Sequence, residues 1–214
     1  GLDFSYKFGD ITTETIEFLR NPDILFGSRE RNTSNIKGST FTSGLLYNTK
    51  INKKLEFYSS MTYSPEAKLK SENLRNIAVI FITANGSEAV VDDVDDSVNN
   101  TNPIIPSKLS FGAGIGSSKK WLVGTEITFT ENSRLINRFS DITTNTFENS
   151  TKISVGGFYI PKYDSFSSYF SRVVYRAGFR YENTGLIIKN ESINDYGMNF
   201  GLGLPVGVSN INLG

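Results

Sequence analysis

The chain contains neither cysteine nor histidine in its 214 residues. Without cysteine there can be no disulfide, no thiolate metal site and no thiol nucleophile. Without histidine there is no Ser-His-Asp chemistry, no base for a barrel-type phospholipase, and the commonest zinc ligand is missing. Long apolar runs are also absent. The longest strongly apolar stretch covers residues 77–82, against the roughly 20 residues that a membrane helix needs. An excess of either charge is lacking too, since 22 basic residues balance 22 acidic ones. Nucleic-acid binding normally needs a concentrated basic surface, so no nucleic-acid partner is expected. No catalytic residue, cofactor or metal site is expected either, and an enzyme is the least favoured class.

What is present is alternation. Residues 172–182 read RVVYRAGFRYE. In a strand, Val173, Tyr175, Ala177, Phe179 and Tyr181 face one way, and Arg172, Val174, Arg176, Gly178, Arg180 and Glu182 face the other. Leu2, Phe4, Tyr6 and Phe8 repeat the pattern, as do Leu55, Phe57, Met61 and Tyr63 opposite Glu56, Tyr58, Ser60 and Thr62. Leu109, Phe111, Ala113 and Ile115 oppose Lys108, Ser110 and three glycines; Trp121, Val123, Ile127 and Phe129 oppose Gly124 and Glu126. Ile153, Val155 and Tyr159 mark a further strand. Tyr196, Met198, Phe200, Leu202 and Leu204 oppose Asn199, Gly201 and Gly203. An apolar face ending in aromatics, backed by a small polar face, meets the demand of a membrane-spanning β-barrel with lipid outside and a polar lumen within.

The spacing of the connections agrees. Short turns are expected near 9–10, 50–53, 117–120 and 205–210, and long polar connections at 21–38, 64–105, 131–150 and 183–194. An aromatic-rich connection at 161–170 departs from the series. Outer-membrane barrels have short periplasmic turns and longer extracellular loops. The expected fold is therefore an all-β, antiparallel transmembrane barrel of about ten strands, forming one domain over residues 1–214 and incomplete at both ends. It is expected in the outer membrane as a monomeric barrel in contact with membrane lipids. Within 64–105, residues 78–82 are expected to be β and Asn85-Gly86 a turn. The DDVDD run at 92–96 is expected to be a solvated loop, since it lacks the spacing of an EF-hand calcium site.

The inward face gathers Arg172, Arg176 and Arg180 with Glu182, Lys108, Glu126, Glu56, Lys7 and Asp3. Buried charges must be paired or hydrated, so a balanced ring of this kind is first a packing device. The functional alternative has an arginine gripping the carboxylate of a lipid or fatty acid, with Arg176, central in its strand, the first choice. The candidate ligand-binding residues of the lumen are Arg176, Arg172, Arg180, Glu126, Lys108 and Tyr58. Phe158 also points inward and could line an apolar groove with Tyr58. Trp121, Phe129, Tyr159, Tyr163, Phe166, Tyr169, Phe170, Tyr181 and Tyr196, near strand ends, fit the aromatic girdles of a barrel. The glycine alternation at 112, 114 and 116 sits inside a strand rather than at a strand-to-helix turn, so it is not a dinucleotide loop.

Residues 175–207, YRAGFRYENTGLIIKNESINDYGMNFGLGLPVG, followed by SNINLG, resemble the C-terminal part of the FadL-type outer-membrane family that transports long-chain fatty acids and hydrocarbons. Residues 106–126, PSKLSFGAGIGSSKKWLVGTE, are similar to that family's repeated hairpin. The resemblance implies a fourteen-stranded barrel with an N-terminal hatch, of which this chain holds the C-terminal half to two-thirds. It further implies passive uptake of hydrophobic molecules such as long-chain fatty acids. The family's hatch and kinked early strand, which form its exit route, have no counterpart here. Two alternatives stand beside it: an accessory barrel that docks protein partners, as in a secretion apparatus, and a soluble adhesin-like β-protein.

Overall fold

The structure, a computed structural model, describes residues 1–18, 26–96, 98–135, 146–206 and 209–214. It is all-β and antiparallel, and the only helices among the described residues are two single 3-10 turns, Asn132–Arg134 and Phe170–Arg172. In chain order the strands are β1 (Leu2–Phe18), β2 (Phe26–Lys50), β3 (Glu56–Ser64), β4 (Ala67–Lys68), β5 (Lys70–Ile82), β6 (Glu88–Asp96) and β7 (Ile104–Ile105). They continue as β8 (Lys108–Ser117), β9 (Trp121–Thr130), β10 (Thr146–Phe147), β11 (Ser150–Tyr159), β12 (Val174–Ile188), β13 (Glu191–Val206) and β14 (Ser209–Leu213). Twelve of them form one sheet, and β4 and β7 pair separately.

The backbone of the sheet is a meander, β1-β2-β3-β8-β9-β11-β12-β13-β14, each strand antiparallel to its neighbours. β2 is long enough to bind β1 along one edge and two partners along the other. Its residues 43–50 pair with β3, and its residues 26–37 pair with β5. The sheet therefore forks: β3 leads into the meander, while β5 and β6 form a hairpin that extends β1 and β2 beyond it. Among the described residues β1 and β14 are not paired with each other, so the sheet is open rather than closed into a barrel.

The alternation in the sequence becomes two faces because the pairing keeps parity across nine strands. On one face Leu45, Met61, Phe111, Ile127, Ile153, Tyr181 and Tyr196 lie in one transverse row. Phe200 and Met198 on this face are 72% and 76% exposed. A water-soluble monomer does not present so large a continuous apolar surface, whereas lipid covers one without penalty. Trp121 and Phe129 bound the apolar stretch of β9, eight residues and so about 27 Å apart along the strand. At a tilt of about 40° that projects to about 20 Å, close to the apolar band of outer-membrane sheets. Among the described residues, enclosed apolar side chains are few: Ala78, Ile80, Ile160 and Val173.

Several expectations need correction. Gly9-Asp10 is not a turn; β1 runs through it in unbroken register, with Gly9 (φ +151) opposite Ile36 and Asp10 opposite Asn35. Residues 26–38, expected within a polar loop, are the first half of β2 and are hydrogen-bonded on both edges. The DDVDD run is not a loop but the end of β6, paired to residues 75–79 of β5. The 183–194 excursion is a strand continuation, closed by a two-residue turn in which Lys189 (φ 51) and Asn190 (φ 68) are both left-handed. These stretches carry polar residues on both faces, buried ones included (Arg29 is 8% and Ser34 0% exposed), so their strands show no continuous apolar side. Asn85-Gly86 is a turn as expected, with Gly86 at φ 81. Leu19, the first part of the 21–38 stretch, Ser97, residues 136–145 in the middle of the 131–150 connection and the middle of the 205–210 turn lie outside the described residues.

Candidate functional site

The face opposite the apolar one is built in rows. One row crosses seven strands as Asn48, Tyr58, Gly114, Gly124, Gly156, Gly178 and Asn199. Four successive strands thus place glycine at one register, which lets neighbouring backbones approach and leaves a trough where side chains would stand. A Cβ on Gly114 would sit 3.2 Å from the Val123 carbonyl oxygen, and one on Gly156 would sit 3.3 Å from that of Ala177. The adjacent row carries Ser60, Gly112, Glu126, Ser154, Arg180 and Gly197. Together they frame a hollow of about 610 Å³ whose polar lining includes Tyr58, Glu126, Lys152, Arg180 and Asn199.

The charges around this trough are largely answered from within. Arg180 Nη2 donates to Asp195 Oδ2 at 2.5 Å. Asp195 itself stands directly across from Glu182, which stands across from Lys152. Tyr58 donates its hydroxyl to Glu56 Oε2 at 2.5 Å, and Thr128 Oγ1 lies 3.4 Å from Glu126 Oε1. Ser110 and Thr128 pair through their hydroxyls at 2.8 Å between neighbouring strands. Such hydroxyl and ion pairs across strands fasten a polar face together. Among the described residues no group of three or more acidic side chains is placed to hold a metal ion.

The six candidate residues separate in the structure. Tyr58, Glu126 and Arg180 share the trough. Arg176 lies in the next row, across from Phe158 and Gly201, and its Nη1 reaches over β13 to donate to Asn212 Oδ1 at 2.8 Å. Lys108 sits at the far end of β8, across from Ser64 and Thr130. Arg172 is not in the arginine strand. It ends the 3-10 turn before β12, with its guanidinium 5.5 Å from the centre of the Tyr169 ring, because Val173 bends the chain into the sheet one residue later. Asp195, Asn212 and Lys152 were not among the sequence candidates. The pairing of Gly114 with Gly124 follows from the tight turn at 118–120, but the partners of Arg180 and Arg176 depend on registers that only the fold supplies.

The apolar face has its own hollow, about 1090 Å³, between β9, β11, β12 and β13. Its floor is Gly157 and Ala177, directly paired, and its walls include Tyr159, Tyr175, Phe179 and Phe200. A Cβ on Gly157 would lie 2.2 Å from the Leu122 carbonyl oxygen, so the strands can meet here only because that residue is glycine.

The sequence that folds into this sheet matches the BamG family model over residues 1–214. The chain belongs to the BamG family. No curated protein and no solved structure matches it. Membership in the BamG family overturns the FadL-type resemblance and, with it, the expected uptake of fatty acids. The segments that suggested it, within residues 175–207 and 106–126, are what any sheet writes when one face is aromatic and the other rich in glycine, so they carry physics rather than ancestry.

Proposed function

We propose that this BamG-family protein is an accessory member of the BAM complex, the outer-membrane biogenesis machinery, and that it docks protein partners rather than conducting a small molecule. The observation that carries this reading is the family match along all 214 residues. The geometry supports it in two ways. The apolar face fits placement in the outer membrane, with the short turns on the periplasmic side. The polar face keeps its arginines engaged with Asp195 and Asn212, an arrangement suited to a scaffold more than to a carboxylate carrier. Deleting the protein and restoring it on a plasmid tests the reading. Levels of other outer-membrane barrel proteins should fall and recover while fatty-acid uptake per cell stays constant. Unchanged barrel levels would overturn it.

A further inference from the structure

The chain's zero net charge conceals a polarity along the strands. Three adjacent connections at one end of the sheet, two short turns and the longer 160–173 segment, carry Lys50, Lys53, Lys54, Lys119, Lys120, Lys162 and Arg172. Only Glu56 and Asp164 oppose these seven, and Glu56 already accepts the Tyr58 hydroxyl. Two of the connections in this rim are joined directly, the Ile160 N–H donating to the Lys120 carbonyl at 2.7 Å, and the third, at residues 50–54, lies at the same end because β3 pairs with β8. All seven cations are exposed, and among the described residues none has a carboxylate within ion-pair distance. Two lie against rings instead, Lys119 Nζ 5.0 Å from the centre of Tyr163 and Arg172 5.5 Å from that of Tyr169.

The rim stands at a defined depth. Trp121, Tyr159 and Tyr175 are in register and end the apolar band. Lys119 and Lys120 stand in the turn two residues and one residue before Trp121, within about 7 Å of it along the chain. Between Lys162 and Arg172, Phe166 and Phe170 are 105% and 73% exposed. Exposed rings interleaved with unpaired cations suit a boundary where acyl chains meet charged headgroups, and suit a purely aqueous protein contact poorly. Building on the outer-membrane placement above, we propose that this collar binds the phosphate-bearing headgroups of anionic phospholipids in the leaflet on the short-turn side. The apolar face would set the protein's depth, and the collar would select the lipid around it.

Trp121 is the single tryptophan of the chain and sits beside Lys119 and Lys120, so it reports on this boundary directly. The full chain is reconstituted in mixed phosphatidylglycerol and phosphatidylcholine vesicles, with brominated acyl chains on one lipid or the other, and Trp121 quenching is measured. Phosphatidylglycerol should be enriched about threefold over its bulk fraction at low salt, and the enrichment should collapse at about 0.5 M salt, where charges are screened within a few ångströms. The K53Q/K54Q/K119Q/K120Q variant should lose the enrichment, while K68Q/K70Q, altered at the opposite end, should keep it. Equal quenching by both lipids in the wild type, or a preference that survives in the fourfold variant, would overturn the proposal. Loss of a co-purifying acidic protein from that variant, without any lipid preference in the wild type, would assign the collar to a protein instead. Absence of quenching by either lipid would refute the membrane placement and the collar together.

Discussion

Arg180 bridges from β12 to Asp195 on β13, diagonally across the pair, and Asp195 stands directly opposite Glu182. The arginine thus offsets the charge of one of two carboxylates that stand opposite each other, an arrangement that otherwise destabilises a sheet. Both partners of the ion pair are nearly half exposed, which limits its worth. We expect Arg180→Gln to cost about 1 kcal/mol or less in equilibrium urea unfolding of the detergent-folded protein. Asp195→Asn added to it should recover most of the loss. Additive losses in the double variant would show that the two residues are not coupled.

Glycine at the sheet crossing is a stronger constraint. A Cβ at residue 157 meets the Leu122 carbonyl oxygen at 2.2 Å, whereas one at residue 44 meets nothing closer than the Thr62 methyl at 3.5 Å. Backbone atoms cannot swing aside as a side-chain tip can. Gly157→Ala should therefore destabilise by about 2 kcal/mol, within the range for overpacking, and Gly44→Ala by a few tenths at most. Comparable unfolding midpoints for the two variants would contradict the close approach of β9 and β11.

The hairpin linking β12 and β13 closes on Lys189 and Asn190, both at positive φ. A two-residue turn with both central residues left-handed favours glycine at the second position. Asn190→Gly should raise stability by up to about 1 kcal/mol, and Asn190→Val should lower it by a similar amount or more. Amide exchange across Ile188 and Glu191, the pair flanking the turn, gives the direct reading.

Near that hairpin, beyond the apolar band, Glu148 fastens the β10 segment. Hydrogen bonds from Ser192 and then Asn183 hold its carboxyl below the usual glutamate range. The Glu148 N–H also donates to the Gly185 carbonyl at 2.8 Å. A carboxyl whose folded pKa is depressed adds stability above its unfolded value, and that stability is lost as pH falls through the folded one. Protection of the amides around 146–148 should therefore weaken in acid, below the ordinary glutamate pKa, and hold steady at neutral pH. In Glu148→Gln the acid step should vanish. A step of the same size in that variant would place its origin elsewhere.

The sequence disclosed the strands that have one apolar face and hid those that do not. At 108–130 and 196–204 one face must be apolar, so alternation appears and the parity of every residue is readable. At 26–38 and 92–96 polar residues occupy both faces, buried Arg29 and Ser34 among them; Arg29, Glu30 and Arg31 follow one another, and the strand looks like a loop. The polar trough was half visible for a related reason. Gly112, Gly114 and Gly116 showed where space lies, but the alignment of Gly114, Gly124, Gly156 and Gly178 is a property of register, set in part by the 160–173 connection. Arg172 was misplaced because its parity continues that of Arg176 through a 3-10 turn that alternation cannot detect. The family was misjudged because an alternating apolar pattern is shared by sheets with no common role.

Purification of the full-length protein from outer membranes, in a detergent mild enough to keep complexes intact, tests the central claim most directly. A tagged copy expressed at its native level should elute in stoichiometric association with the subunits of the BAM complex, and with no bound fatty acid. Elution alone, or as a single protein carrying a stoichiometric hydrophobic ligand, would contradict the account.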